Sequence, residues 1–196
     1  MDSPQPPDFS SFIGSLSREL RLRELPFMLI GGQAVLLHGR PRLTEDIDIT
    51  LGVDPSHLPV VREACTALGL VPLPDRIEEF VRDTFVLPVH DIDTRIRVDF
   101  IFSTTPYERQ AIERAVIVEL GGEPVPFASA EDLVIHKLFA GRARDLEDVA
   151  TVIRRQRTKV DWAYLEKWAQ EFASVPGRER MPEQVERLRR EHGETG

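Results

Sequence analysis

The stretch Asp46-Ile47-Asp48-Ile49-Thr50-Leu51 alternates polar and apolar residues and stops at Gly52, a pattern that only an extended strand with one buried face accommodates. Ile47 and Ile49 share the apolar face. Asp46 and Asp48 share the other, so the sequence sets two carboxylates side by side. An apolar strand with two acids on one face is costly to bury unless cations compensate them, and oxygen-only ligands suit Mg²⁺. An Asp-x-Asp pair alone is equally compatible with an exposed strand face, so its surroundings decide.

Those surroundings add a glycine turn. Phe27-Met28-Leu29-Ile30 is a short apolar run closed by Gly31-Gly32, after which Gln33 and Ala34-Val35-Leu36-Leu37 continue without a turn residue until Gly39. Strand, tight turn and helix is the reading. Missing Cβ atoms at such a turn let a phosphate approach, and the N–H groups of the helix start point at it. Gly31, Gly32 and Gln33 are therefore expected to bind nucleotide. Arg42 and Thr44, just before the acidic strand, are candidates to touch phosphate or to shape the loop.

A third carboxylate comes from Arg95-Ile96-Arg97-Val98-Asp99-Phe100-Ile101-Phe102, whose even-numbered residues form an apolar face. Asp99 lies on the opposite face. A metal pair that activates a hydroxyl needs a ligand or base beyond two acids, and a neighbouring strand can supply it. Asp91 and Asp93 form a rival pair, but no glycine turn and helix precede them, and they suit the surface of a hairpin between strands at 80–87 and 95–102.

The rest of the chain fits around these motifs. A helix is expected over residues 8–25, another from Ser56 to Leu68, and a further strand over 114–120. After about residue 128 the character turns helical. Ser129 and Asp132 have capping-box spacing, as do Asp145 and Asp148, and a third helix runs from Asp161 to about Phe172. The expectation is an α/β (α+β) fold, a mixed sheet flanked by helices over residues 1–128. A C-terminal helical segment over 129–175 and a charged, mobile tail over 176–196 follow.

Composition narrows the partners. A formal net charge of −8 argues against a chain that holds nucleic acid mainly through general electrostatics, although Arg154, Arg155, Arg157 and Lys159 form a local basic cluster, as do Arg187, Arg189 and Arg190. The single cysteine, Cys65, excludes an internal disulfide and a cysteine zinc cluster. No apolar run reaches the roughly 20 residues of a membrane span. The proline-rich start lacks a secretory signal, so a cytoplasmic protein is expected. His38 and His136 fall inside helices and read as packed histidines rather than ligands.

Gly31-Gly32, Asp46-x-Asp48 and Asp99, in this order, resemble the polymerase-β-type nucleotidyltransferase superfamily over most of the chain. Within it, Lys137-Leu138-Phe139-Ala140-Gly141-Arg142-Ala143-Arg144-Asp145-Leu146-Glu147-Asp148 resembles the Lys-Leu-x-Ala…Arg…Arg-Asp-x-x-Asp motif of AbiEii-like toxin nucleotidyltransferases and related small bacterial enzymes. That resemblance implies a nucleotidyltransferase fold and catalytic roles for Asp46, Asp48, Asp99, Lys137 and Asp148. It implies two Mg²⁺ ions on Asp46, Asp48 and Asp99, and Lys137 on the phosphates of a nucleoside triphosphate. An RNA acceptor such as the 3′ end of tRNA, and an antitoxin protein partner, would follow from the toxin branch.

The residues agree in part with that assignment. On one unbroken helix, Lys137, Arg144 and Asp148 share a polar face, which makes Arg144 a nucleotide-binding candidate. If Gly141 breaks the helix, Asp145 becomes an N-cap with Asp148 at N3, a purely structural account of both acids. Many superfamily members carry Gly-Ser at the turn. Here Gly32 stands in the serine's place, as in the antibiotic-modifying branch, which keeps a small-molecule acceptor open. Non-catalytic nucleotide or protein binding on the same fold is the other alternative, and a metal-dependent phosphodiesterase a third.

Overall fold

The computed structural model describes residues 9–41, 44, 46–103 and 105–193. The helices and strands in chain order are α1 (Phe9–Leu22), β1 (Phe27–Leu29), α2 (Gly31–His38), β2 (Asp46–Leu51), α3 (Leu58–Ala67), β3 (Leu70–Pro72), α4 (Ile77–Thr84), β4 (Val86–Asp91), β5 (Arg97–Phe102), α5 (Pro106–Glu113), β6 (Val116–Leu120), β7 (Glu123–Phe127), α6 (Ala130–Ala140), α7 (Ala143–Gln156), α8 (Trp162–Phe172) and α9 (Met181–His192). They fall into two compact units. Residues 1–30 with 44–127 form a sheet unit, and residues 31–43 with 128–196 form a helical unit.

The sheet unit carries one mixed sheet of seven strands in the order β3-β4-β5-β2-β1-β7-β6. β2 runs parallel to β5 and antiparallel to β1, and Ile30 N–H donates to the Asp48 carbonyl at 2.9 Å to extend the β1–β2 ladder. The period-2 pattern has its expected effect. Ile47, Ile49, Leu51, Val98, Phe100 and Phe102 are all buried, which leaves the intervening residues of both strands on the other face. Burying side chains of this size contributes roughly 1.5–3 kcal/mol each, and this fixes the register, because a one-residue slip would turn the apolar set to solvent.

Helix α1 lays Ile13, Leu16 and Leu20 against β7, and Ser17 Oγ donates to the Pro124 carbonyl at 2.6 Å. The approach is close enough to need glycine. A Cβ on Gly121, whose φ is +60°, would lie 2.5 Å from the Ser10 carbonyl oxygen.

The hairpin expected to begin near residue 80 begins later. Ile77, Phe80 and Val81 follow helical spacing, α4 ends at Phe85 with φ +59°, and the strand starts only at Val86. Asp91 then closes the β4–β5 connection by accepting from Thr94 N–H and Oγ–H, both at 2.7 Å, a turn role. β3, α5 and β7 were not anticipated. β7 hides behind Pro124 and Pro126, which usually argue against a strand.

In the helical unit, Ser129 caps α6 as its spacing predicts. Its Oγ accepts from Asp132 N–H at 3.1 Å and donates to Asp132 Oδ2 at 2.6 Å, while Tyr164 Oη–H donates to Oδ1 at 2.7 Å, so this fully buried carboxylate is well solvated by the protein. Asp161 caps α8 through Tyr164 N–H. The tail expected to be mobile after Pro176 instead forms α9, which buries Met181, Val185 and Leu188 and packs on α8; its charges occupy the outer face. No helix among the described residues is long and apolar enough to cross a membrane.

Candidate active site

In the sheet unit the acids gather by register. Asp48 pairs with Asp99 across the parallel β2–β5 ladder and Asp46 pairs with Arg97, so all four side chains share one face. Arg97 is the residue that sequence reasoning missed. Its Nε donates to Asp99 Oδ1 at 2.8 Å and an Nη to Oδ2 at 3.1 Å, a bidentate pair. The hydrogen bonds to Asp99 hold the guanidinium pKa above its ordinary value, with added support from the charges of Asp46 and Asp48. The signal was present in the sequence, since position 97 is two residues before Asp99 and must share its face.

The donor chemistry suits a hard divalent cation, being three carboxylates with no sulfur or imidazole. As the side chains stand, however, no group of three or more His, Cys, Asp or Glu among the described residues converges enough to hold a metal ion. Asp99 is engaged by Arg97. Thr44 Oγ donates to the Asp46 carbonyl at 3.4 Å and shapes the entry to β2, whereas Arg42 lies outside the described residues.

The glycine turn and the lysine motif belong to the helical unit. α2 begins at Gly31 itself, whose φ of +62° is the left-handed conformation that favours glycine, with Gly32 and Gln33 buried in the first turn. α6 ends at Gly141, also left-handed at φ +69°, whose N–H caps the Lys137 carbonyl at 3.0 Å. The unbroken helix is thus excluded, and with it the shared-face argument. Lys137 nevertheless meets Asp148, because the Gly141 turn folds α7 back along α6.

Lys137 Nζ donates to Asp145 Oδ1 at 2.8 Å and lies 2.9 Å from Asp148 Oδ2, with all three side chains 8% exposed or less. Asp145 sits at the third position of α7 rather than at its cap, which is Arg142. Burial alone would raise the Asp145 pKa. Hydrogen bonds from Arg142 Nε, at 2.7 Å, and from Lys137 outweigh it and hold the carboxyl below its ordinary value. Arg144 is exposed on α7 and takes no part in this network.

Beside it, Arg40, Glu147, Asp148, Thr151 and Arg154 line a cleft of about 570 Å³. Thr151 Oγ receives the Arg40 N–H at 3.3 Å and Arg155 donates to the Gly39 carbonyl at 2.7 Å, which fastens the end of α2 to α7. The two histidines are packed: His38 Nε2 lies 2.8 Å from the Ala128 carbonyl, and burial lowers the pKa of both, His136 to about 4.

A mixed sheet with two acids on one strand and a third in register on the next, accompanied by a glycine-initiated helix, defines a nucleotidyltransferase-type fold. The family described as "Nucleotidyl transferase AbiEii toxin, Type IV TA system" matches residues 16–194, and the chain belongs to it. Among solved structures, the chain is similar to ANT(2″)-Ia in complex with adenylyl-2″-tobramycin, at 15% identity and a TM-score of 0.54, covering 94% of this chain and 98% of that one. It is also similar to an antigenic nucleotidyltransferase-like protein from Paracoccidioides brasiliensis, at 15% identity and a TM-score of 0.53, covering 92% and 95%. At such identities the likeness is one of fold. A search of curated proteins returns no match.

Proposed function

We propose that this protein is a magnesium-dependent nucleotidyltransferase. It moves a nucleoside monophosphate from a nucleoside triphosphate to a hydroxyl at the 3′ end of an RNA such as tRNA, releases pyrophosphate, and acts in the cytoplasm as the toxin of a toxin–antitoxin pair. The observation that carries the reading is the in-register placement of Asp99 beside Asp48, with Asp46 on the same strand face. Magnesium held by Asp46, Asp48 and Asp99, in our reading as two ions, would supply neutralisation of the triphosphate and a lower pKa for the attacking hydroxyl.

The chain's own residues have separable tasks. The first-turn N–H groups at Gly31 and Gly32 donate to phosphate oxygens, with no Cβ to keep the nucleotide away. Lys137 is assigned to the phosphates. Asp145 accepts a hydrogen bond from its ammonium and Asp148 lies 2.9 Å from it, which together fix the ammonium. Arg40 and Arg154 stand with Glu147 and Asp148 on the neighbouring cleft, a mixed-charge lining.

The test is incubation of the full chain with each α-³²P-labelled triphosphate, Mg²⁺ and total tRNA, with the aminoglycoside tobramycin as a parallel acceptor. Label in tRNA that disappears with EDTA and with Asp46→Asn/Asp48→Asn is the expected result. Label in the aminoglycoside alone would redirect the assignment to small molecules, and binding of triphosphate without pyrophosphate release would mark a binding module. Growth arrest on expression, relieved by a co-expressed neighbouring gene, tests the toxin role.

A further inference from the structure

The acidic face of β2 and β5 has a resident cation of its own. Arg97 is held by both oxygens of Asp99 and lies across the register from Asp46, yet its side chain is 48% exposed, against 20% for Asp99. It is therefore anchored at its head and free to leave along a solvated path. A guanidinium on Asp99 and a divalent cation on the same two oxygens compete, because the fork takes one lone-pair direction on each oxygen and like charges repel at that distance.

We infer that Arg97 is a built-in competing counter-ion. It neutralises Asp99 when no metal is bound, and competes for that carboxylate with a divalent ion shared with Asp46 and Asp48. The inference rests on the metal reading above and adds a regulatory element to it. Arg97 is a positioning residue, acting on the reaction through the availability of Asp99.

Two features of the face argue for counter-charge rather than a purely structural strut. The strand is already pinned by its buried neighbours Val98 and Phe100, so the sheet does not need Arg97 to hold register. And Asp99 stands in register beside Asp48, where a neighbouring cation is favourable whether it is metal or guanidinium.

The test uses the EDTA-stripped full chain titrated with Mn²⁺ in the absence of nucleotide, with free Mn²⁺ read by electron paramagnetic resonance. Arg97→Gln is expected to bind Mn²⁺ about three- to five-fold more tightly than the unaltered chain, the upper part of the range expected when one partly exposed ion pair no longer competes. Arg97→Lys, which retains the charge but loses the fork, should fall between the unaltered protein and Arg97→Gln. In an Asp99→Asn background, Arg97→Gln should change affinity little, since the contested carboxylate is gone.

Unchanged or weaker Mn²⁺ binding in Arg97→Gln, with thermal melts showing the fold intact, overturns the inference while leaving the metal reading standing. Mn²⁺ binding that survives Asp46→Asn/Asp48→Asn, or that is undetectable in every variant, overturns the metal reading and this inference with it.

Discussion

Replacing Lys137 by methionine keeps the shape of the side chain and removes its charge from a site that is almost closed to water. Asp145 and Asp148 lie 2.8 and 2.9 Å from Nζ with 3% and 7% of their side chains exposed, so water replaces the ammonium poorly. Asp145 keeps Arg142; Asp148 loses the Lys137 ammonium. Leaving one buried carboxylate without that partner costs about 3 kcal/mol, the lower end of the range for breaking a buried pair. In a chain of this length that corresponds to about 6–12 °C in Tm.

The sign of the pH dependence separates charge from packing. Without the lysine, burial raises the carboxylate pKa in the folded state, so the penalty is greatest at neutral pH and shrinks as the pH falls and the acid takes up a proton. Urea melts of the variant and the parent at pH 7.5 and pH 5 measure this. Arg142→Ala is the control on the same carboxylate. Its side chain is 78% exposed, so a loss of about 1 kcal/mol or less is expected. A Lys137→Met penalty under about 1 kcal/mol, or one that does not vary between the two pH values, would refute the claim that the lysine is held as a buried counter-charge.

Other consequences are as direct. Asp46→Asn/Asp48→Asn should abolish nucleotide transfer and leave the circular dichroism spectrum unchanged, because Asp46 is exposed and Asp48 half-buried while the strand's apolar face stays intact. Gly121→Ala should cost about 3 kcal/mol from a left-handed φ and a backbone clash together, against about 1 kcal/mol for Gly122→Ala, where φ is +78° and nothing lies within 4 Å; equal melting temperatures for the two would contradict this. His38 and His136 are held neutral by burial, with folded pKa values below the unfolded value of about 6.5. The unfolded chain then binds more protons, so stability should fall as the pH drops below about 6.5 and go on falling toward about 4 for His136. A urea midpoint that stays flat between pH 7 and pH 5 would contradict it. The depressed Asp145 acts in a lower window, its contribution being lost only as the pH falls below about 3.9.

The sequence by itself determined what depends on period. Alternation over 46–51 and 95–102 was enough to place Asp46, Asp48 and Asp99 away from the core, and Ser129 three residues before Asp132 was enough to start α6. Short segments with mixed signals were less legible. Residues 80–84 suggest a strand because Phe80 and Val81 adjoin the apolar residues of β4, yet they complete α4, and two prolines mask β7.

Only the tertiary structure decided how these pieces meet. The in-register pairing of Asp48 with Asp99 depends on hydrogen bonding between segments about fifty residues apart, which no local pattern encodes. Lys137 reaches Asp148 because Gly141 turns the chain back, so these partners meet across a helix break rather than along one helix. Residues 31–43 group with 128–196 although they are distant in the chain. The physical reason is common to all three. Side-chain periodicity reports which face a residue occupies, but the neighbour on that face is chosen by packing and strand register, and those are properties of the folded chain alone.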